Sequence, residues 1–232
     1  MLRQAARVGC SVLRAALEAA VVGATDGDVA GAGWHAAARA PRTQHWNFIL
    51  ASGKNALKYA PSGLPSWDSN SPYQAGDMIH PDCYGYVDGY MYDIQRTAVV
   101  GAKASRKQQY LINKSWEHAE ALGAVLRNGV TPREIYDTGV GFRKKHGYDH
   151  GALAPAWDAH GHFGHGFASG FDWPWLGITA PGADKPLTAP FAVTIELWWG
   201  EAGVGAAWVE DNYLVLPDGV ENLTDLPKTL DL

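Results

Sequence analysis

Four acidic residues of this chain lie inside or at the end of apolar, β-type runs. Asp82 and Asp93 fall in the stretch from Met78 to Val100, which is rich in Tyr, Val and Ile. Glu196 closes Val193-Thr194-Ile195-Glu196, and Glu210 stands in Trp208-Val209-Glu210-Asp211. Burying a carboxylate in such a run is costly unless an opposite charge compensates it. The chain therefore has two courses: to turn these positions to water at strand ends and sheet edges, or to fold so that they gather around a cation. Asp82 and Asp93 are eleven positions apart and bracket a glycine-bearing turn near Gly85 to Gly89. A hairpin of that spacing is expected to set them facing each other across two strands, where two carboxylates repel unless a cation lies between them.

The rest of the chain alternates helical and β-type segments. From Met1 to Ala24, Val8, Leu13, Leu17 and Val21 recur at three- to four-residue intervals, and Arg14 and Glu18 interrupt the apolar part. That spacing describes an amphipathic helix and not a cleaved targeting peptide. A turn and a second short helix are expected between Gly23 and Ala40, a strand from His45 to Ser52, and a Pro/Gly/Ser surface loop from Ser62 to Ser71. Ser105 to Arg127 reads as the strongest helix, with Tyr110, Ile112, Trp116, Ala119 and Leu122 on one face. Thr131-Pro132-Arg133-Glu134 opens another with a capping box and Pro at the first helical position. Phe191 to Trp199 and Ala207 to Leu216 are strand-like, and Asp218-Gly219 is a turn. The order helix, strand, then longer strands bearing acidic residues occurs twice, which suggests a duplication although the halves do not match closely.

With 232 residues, 47% hydrophobic and 19% charged, the composition is globular. A net charge of −5 removes any general attraction to nucleic acid or an anionic membrane. No apolar run reaches the roughly 18–20 residues of a membrane span. Two cysteines, Cys10 and Cys83, are too few for a disulfide scaffold and favour a reducing, cytoplasmic setting. Ten Trp, ten Tyr and 27 Gly fit either shaped clefts or a bulky core with many tight turns.

In Phe163-Gly164-His165-Gly166-Phe167 a histidine between two glycines has little steric cover and can reach a ligand, though a lone histidine is as readily a satisfied core residue. Asp82, Asp93, His165, Glu196 and Glu210 together make four carboxylates and one imidazole. Such a set suits hard or borderline divalent ions (Mn, Fe, Co or Zn) over copper or thiolate chemistry. Four negative charges balance two divalent cations, so the set has the charge for a dinuclear centre.

The order Gly76-Asp77, Asp82, Gly89-Tyr90-Met91-Tyr92-Asp93-Ile94-Gln95-Arg96-Thr97, then Gly164-His165-Gly166, Ile195-Glu196, Val209-Glu210-Asp211 and Asp218-Gly219-Val220-Glu221-Asn222-Leu223-Thr224 resembles the M24 metallopeptidase family of methionine aminopeptidase, aminopeptidase P, prolidase and creatinase. The likeness runs from about Met1 to Thr224. It implies an α+β pita-bread fold of two pseudo-symmetric halves, a curved antiparallel sheet flanked by helices. It also implies a single catalytic domain over 1–232 without a creatinase-like N-terminal domain, and one or two divalent ions held by Asp82, Asp93, His165, Glu196 and Glu210. A small-molecule or short-peptide substrate is expected, and a homodimer is left open.

The chain departs from the peptidase pattern at three points. The first ligand usually lies in Asp-x-Gly, whereas here it lies in Asp82-Cys83-Tyr84, which makes Asp88 a fallback ligand. The histidine that follows Ser-Gly-x-Asn is replaced by Lys58 or Tyr59. A second histidine seven residues beyond the Gly-His-Gly ligand is replaced by Asp172. His162 or His160 is then the candidate for a missing catalytic imidazole, with Glu196 relaying the proton. His80 lies on the strand face of Asp82. Trp173, Trp175, Trp198 and Trp199 are candidates for the cleft wall. The leading expectation is an aminopeptidase- or Xaa-Pro-dipeptidase-like hydrolase acting through metal-activated water. A second is a lyase of the dimethylsulfoniopropionate-cleaving type with Asp172 as base, and a third is a non-catalytic module of the same fold.

Overall fold

A computed structural model describes residues 1–57, 68–148, 162–178 and 182–228. Its helices and antiparallel strands segregate into an α+β arrangement that falls in two halves. The first holds helices α1 (Leu2–Glu18) and α2 (Asp26–Arg39) and strands β1 (Thr43–Ile49), β2 (Met78–Ile79), β3 (Asp82–Val87), β4 (Tyr90–Gln95) and β5 (Ala98–Val99). The second holds α3 (Arg106–Gly123), α4 (Pro132–Lys145), β6 (His162–Gly166), β7 (Asp172–Gly177), β8 (Phe191–Glu201), β9 (Gly205–Leu216) and β10 (Gly219–Asn222). One sheet runs in the order β1-β3-β4-β9-β8-β6-β7, with β10 on β9, and β2 pairs with β5 apart from it. The halves join where β4 meets β9, at the pair Gln95 and Glu210.

Local chemistry sets the helix starts. Thr25, Ser105 and Thr131 each form a capping box, with Asp28, Gln108 and Glu134 as the reciprocal partners, so backbone donors that the first turn leaves open are satisfied. Helix α1 buries Val12, Leu13, Ala16 and Leu17 against the face of β3 and β4 that carries Cys83, Tyr92 and Ile94. Helix α3 buries Leu111, Ile112, Trp116, Ala119 and Leu122 against β8 and β9. With one sheet face covered by helices, the acidic residues are left to the other face.

Several expectations are corrected. Helix α1 ends at Glu18, so Val21 lies beyond it and is 57% exposed. Tyr110 is 46% exposed, and the inward stripe of α3 takes Leu111 instead. The β3–β4 turn is Asp88-Gly89, both at positive φ (52° and 80°), the signature of a tight two-residue hairpin. That turn pairs Asp82 with Gln95 and Asp93 with Tyr84. Asp82 and Asp93 are therefore diagonal neighbours on one face, not directly opposed. Asp88 is removed as a ligand, because it pairs with Arg42 at 3.1 Å at the hairpin tip, roughly 20 Å along the chain from Asp82. Cys10 and Cys83 are both free and buried in one apolar cluster. Among the described residues no helix is long and apolar enough to cross a membrane.

Candidate metal centre

Five adjacent strands of the sheet, in the order β3, β4, β9, β8 and β6, each contribute one of the five expected groups: Asp82, Asp93, Glu210, Glu196 and His165. Strand register places Asp82 opposite Gln95, Gln95 opposite Glu210, and Glu210 opposite Glu196. A straight row of four side chains thus crosses the sheet on one face, with Asp93 two residues from Gln95 on the same face. All five groups are buried. One ligand atom each from Asp93, His165 and Glu210 falls within 4.8 Å of the others. His165 Nε2 lies 3.6 Å from Asp93 Oδ2 and 4.0 Å from Glu210 Oε1.

Electrostatics give the cluster its character. Burial pushes the Asp82 carboxyl up to about 7, and only its hydrogen bond with Asp93 opposes that rise. Burial raises Asp93 well above the ordinary range, and the charges of Asp82 and Glu196 add to it. Glu210 rises for the same first reason, reinforced by Asp93, Glu196 and Asp82. Burial lowers His165 to about 4, so its imidazole is neutral at pH 7. A ring nitrogen facing a carbonyl must donate, so His165 Nδ1–H donates to Gly166 O at 2.9 Å. Nε2 is then the bare lone pair, and it faces the carboxylates. Asp82 Oδ1 and Glu210 Oε1 have no hydrogen-bond donor among the described residues. Buried acceptors without donors are rare and expensive. A divalent cation in their midst removes that cost, cancels the repulsion and takes the Nε2 lone pair. On this test the donor set fits such an ion.

Neutral side chains hold the charged ones in place. Thr194 Oγ1 accepts from His165 N at 3.3 Å and hydrogen-bonds Glu210, tying β8 to β6 and β9. Asn212 clasps the backbone of Asp93 from both sides, accepting from its N–H and donating to its carbonyl. Gln95 Nε2 donates to His80 O at 3.2 Å, and His80 Nε2 donates to Ala56 O at 2.7 Å. Behind the row Arg96 donates to Asp211 Oδ1 at 2.7 Å and to the carbonyls of Gln95 and Glu210, and its guanidinium lies 4.6 Å over Trp116. Sequence reasoning gave Gln95, Thr194, Asn212 and Asp211 no role. The usable signal was that each stands within two residues of an acidic candidate.

The remaining candidates divide. His162 comes close to the row, with Nδ1 3.8 Å from Glu196 Oε1. Trp175 covers both histidines, its ring centroid 5.0 Å from that of His162 and 5.3 Å from that of His165. Trp173 is exposed. Trp199 does not wall a cleft: it is buried on the helix-covered face, where it stacks on Tyr148 at 3.9 Å and donates to His118. Trp198, two residues from Glu196 on the other face, is buried against Trp208. Asp172 is exposed at the turn end of the β6–β7 hairpin, where its carboxylate accepts from the neighbouring Trp173 N–H at 2.7 Å. That placement gives the lyase reading no support. His160, Lys58 and Tyr59, and most of the Pro/Gly/Ser stretch, lie outside the described residues.

A sheet that gathers four buried carboxylates and an imidazole from two similar halves defines a class of metal-site protein. Within that class the chain belongs to metallopeptidase family M24, whose profile matches residues 1–217. Among curated proteins none matches it in sequence. Among solved structures it is similar to the dipeptidase PepE of Mycobacterium ulcerans, with a TM-score of 0.84 and 22% identity over 99% of this chain and 58% of that one. The Xaa-Pro dipeptidase of Bacillus anthracis superposes with a TM-score of 0.81 at 23% identity, over 99% of this chain and 61% of the other. The X-Pro aminopeptidase of Thermotoga maritima gives 0.82 at 20%, over 99% and 62%. This chain thus spans about three fifths of the length of each of these structures. At these identities the likeness carries the fold, which is the pita-bread fold.

Proposed function

We propose that this protein is a divalent-metal-dependent hydrolase that cleaves short peptides in the manner of an aminopeptidase or Xaa-Pro dipeptidase. The observation that carries this reading is the convergence of Asp82, Asp93, His165, Glu196 and Glu210 from five adjacent strands, with Asp82 Oδ1 and Glu210 Oε1 left without donors among the described residues. Family membership and the names of the similar structures support it.

In this reading Asp82, Asp93, His165, Glu196 and Glu210 hold one or two ions, the carboxylates through oxygen and His165 through Nε2. A bound divalent ion lowers the pKa of water and polarises a carbonyl oxygen. The chain's own groups do the rest. Gly166 O fixes the His165 tautomer, so the imidazole offers a lone pair and not a proton. Glu196 accepts the proton of the attacking water and returns it to the leaving amine, so that amide and water become carboxylate and amine. His162, beside Glu196, assists that transfer, and His160 is its alternate. Trp175 shields the two histidines from bulk water, which strengthens each electrostatic contact inside.

The test is metal analysis of protein as purified, then titration of metal-free protein with Mn, Co, Fe(II) and Zn. A panel of dipeptides, Xaa-Pro peptides and tripeptides follows. Stoichiometric metal and metal-dependent cleavage are expected. Bound metal with no cleavage across the panel removes the peptidase version. No retained metal, and no stabilisation by any of the four ions, leaves a non-catalytic member of the fold.

A further inference from the structure

Tyr84 stands directly opposite Asp93 across the β3–β4 ladder and two residues from Asp82, so pleating sets all three on the sheet face of the cluster. Its ring is 6% exposed and pinned at both ends. Asn47 Nδ2 donates to the phenol oxygen at 3.1 Å, and the ring meets Phe171 edge-on with centroids 5.3 Å apart. Phe171 in turn lies edge-on to His165 at 5.1 Å and is 43% exposed. The result is an aromatic wall, rigid at Tyr84 and open to solvent at Phe171, that borders two proposed ligands and carries no charge of its own.

We propose that Tyr84 and Phe171 determine substrate specificity: they form one wall of the substrate pocket beside Asp93 and His165, held fixed at its Tyr84 end, and admit only a small apolar group there. The inference rests on the hydrolase reading and adds to it a limit on the size and polarity of the group bound at this wall. A filled volume that cannot retreat rejects a larger group more strongly than a flexible one does, and a single methylene of difference is worth about 10–200-fold in discrimination.

The experiment needs no known substrate. Cobalt-loaded protein is titrated with acetohydroxamate and with benzohydroxamate, small and large chelating probes, and binding is read from the Co(II) visible bands. Wild type is expected to bind acetohydroxamate at least about tenfold more tightly than benzohydroxamate. Tyr84→Ala and Phe171→Ala are expected to erase most of that ratio, which is read for each variant on protein first saturated with cobalt. Tyr84→Phe keeps the ring and is expected to keep the ratio. Should Tyr84→Ala not fold, Phe171→Ala at its exposed position carries the same test. Equal binding of the two probes by wild type, or a ratio unchanged in both alanine variants, overturns the inference and leaves the hydrolase reading standing. Failure of wild type to take up cobalt removes both.

Discussion

His165 Nε2 stands 3.6 Å from Asp93 Oδ2 with its other ring nitrogen bonded to the carbonyl of Gly166. Lone pair and carboxylate face each other, an arrangement stable only with a proton or a metal ion between them. Thr194 Oγ1 links the backbone N–H of this histidine to the Glu210 carboxyl. Thr194→Val keeps the shape and removes both bonds. Metal affinity is expected to fall about 10–100-fold, the usual cost of losing an outer partner of a ligand. Competition titration with a chromogenic chelator checks it, and affinity unchanged within error would remove Thr194 from the centre.

The pH dependence of stability separates metal-free from metal-loaded protein. A carboxyl raised by folding keeps a proton that the unfolded chain has released, so stability falls as pH climbs through the folded value. Asp82 at about 7, with Asp93 and Glu210 also raised well above the ordinary carboxylate range by burial, acts in this sense. His165 works in reverse, adding stability as pH rises from about 4 to its ordinary 6.5 and no slope above that. The carboxylates therefore decide between pH 6.5 and roughly 8. The metal-free Tm is expected to fall across that interval, and the Tm gain on adding Mn or Co to grow, because the ions replace those protons. Scanning fluorimetry at stepped pH reads both; a metal-free Tm that rises across the interval contradicts the prediction.

How much of this was legible beforehand follows from the physics of each signal. A carboxylate in an apolar strand is conspicuous because its burial is so costly, and Asp82, Asp93, Glu196 and Glu210 were visible for that reason. The capping box at Thr131 is local and needed no tertiary knowledge. Gln95, Thr194 and Asn212 were not legible, since a neutral polar residue in a strand looks the same whether it faces water, core or site. The Asp82–Asp93 relation was half legible: parity put them on one face, but register depended on which residues formed the turn, and Asp88-Gly89 took it one step from the expected place. Trp175 and Trp199 differ in the sheet face they occupy, Trp175 packing on His162 and His165 and Trp199 on His118 of α3, and the face of Trp175 depended on a strand pairing that sequence alone did not give.

Arg96 and Asp211 form an ion pair with side chains 2% and 4% exposed, immediately behind Gln95 and Glu210. Removing one partner leaves the other charge buried and unpaired. Arg96→Ala is expected to cost about 3–5 kcal/mol in urea unfolding. The apolar double variant Arg96→Met, Asp211→Leu is expected to recover part of this. Recovery is incomplete because Asn222 Nδ2 then loses its acceptor, Asp211 Oδ2, now 2.8 Å away. A loss below about 1 kcal/mol for Arg96→Ala would mean that water reaches the pair.

Two glycines of α4 give opposite expectations for the same substitution. A Cβ on Gly139 would lie 2.4 Å from Phe163 Cε2, whereas one on Gly141 meets nothing within 4 Å. Alanine gains about 1 kcal/mol over glycine in a helix interior, so Gly141→Ala is expected to stabilise by up to that amount. At Gly139 overpacking of about 1–3 kcal/mol opposes the gain. The Phe163 ring has little room to yield, being met by His118 at 5.3 Å, Tyr136 at 5.4 Å and the Arg143 guanidinium at 4.6 Å. Strain then passes into β6, two residues from His165. Gly139→Ala is expected to lower Tm by a few degrees and weaken metal binding, while Gly141→Ala raises Tm and leaves metal binding unchanged. If both variants stabilise alike, the contact between α4 and β6 is looser than the structure has it, and the support of His165 must come from Thr194 alone.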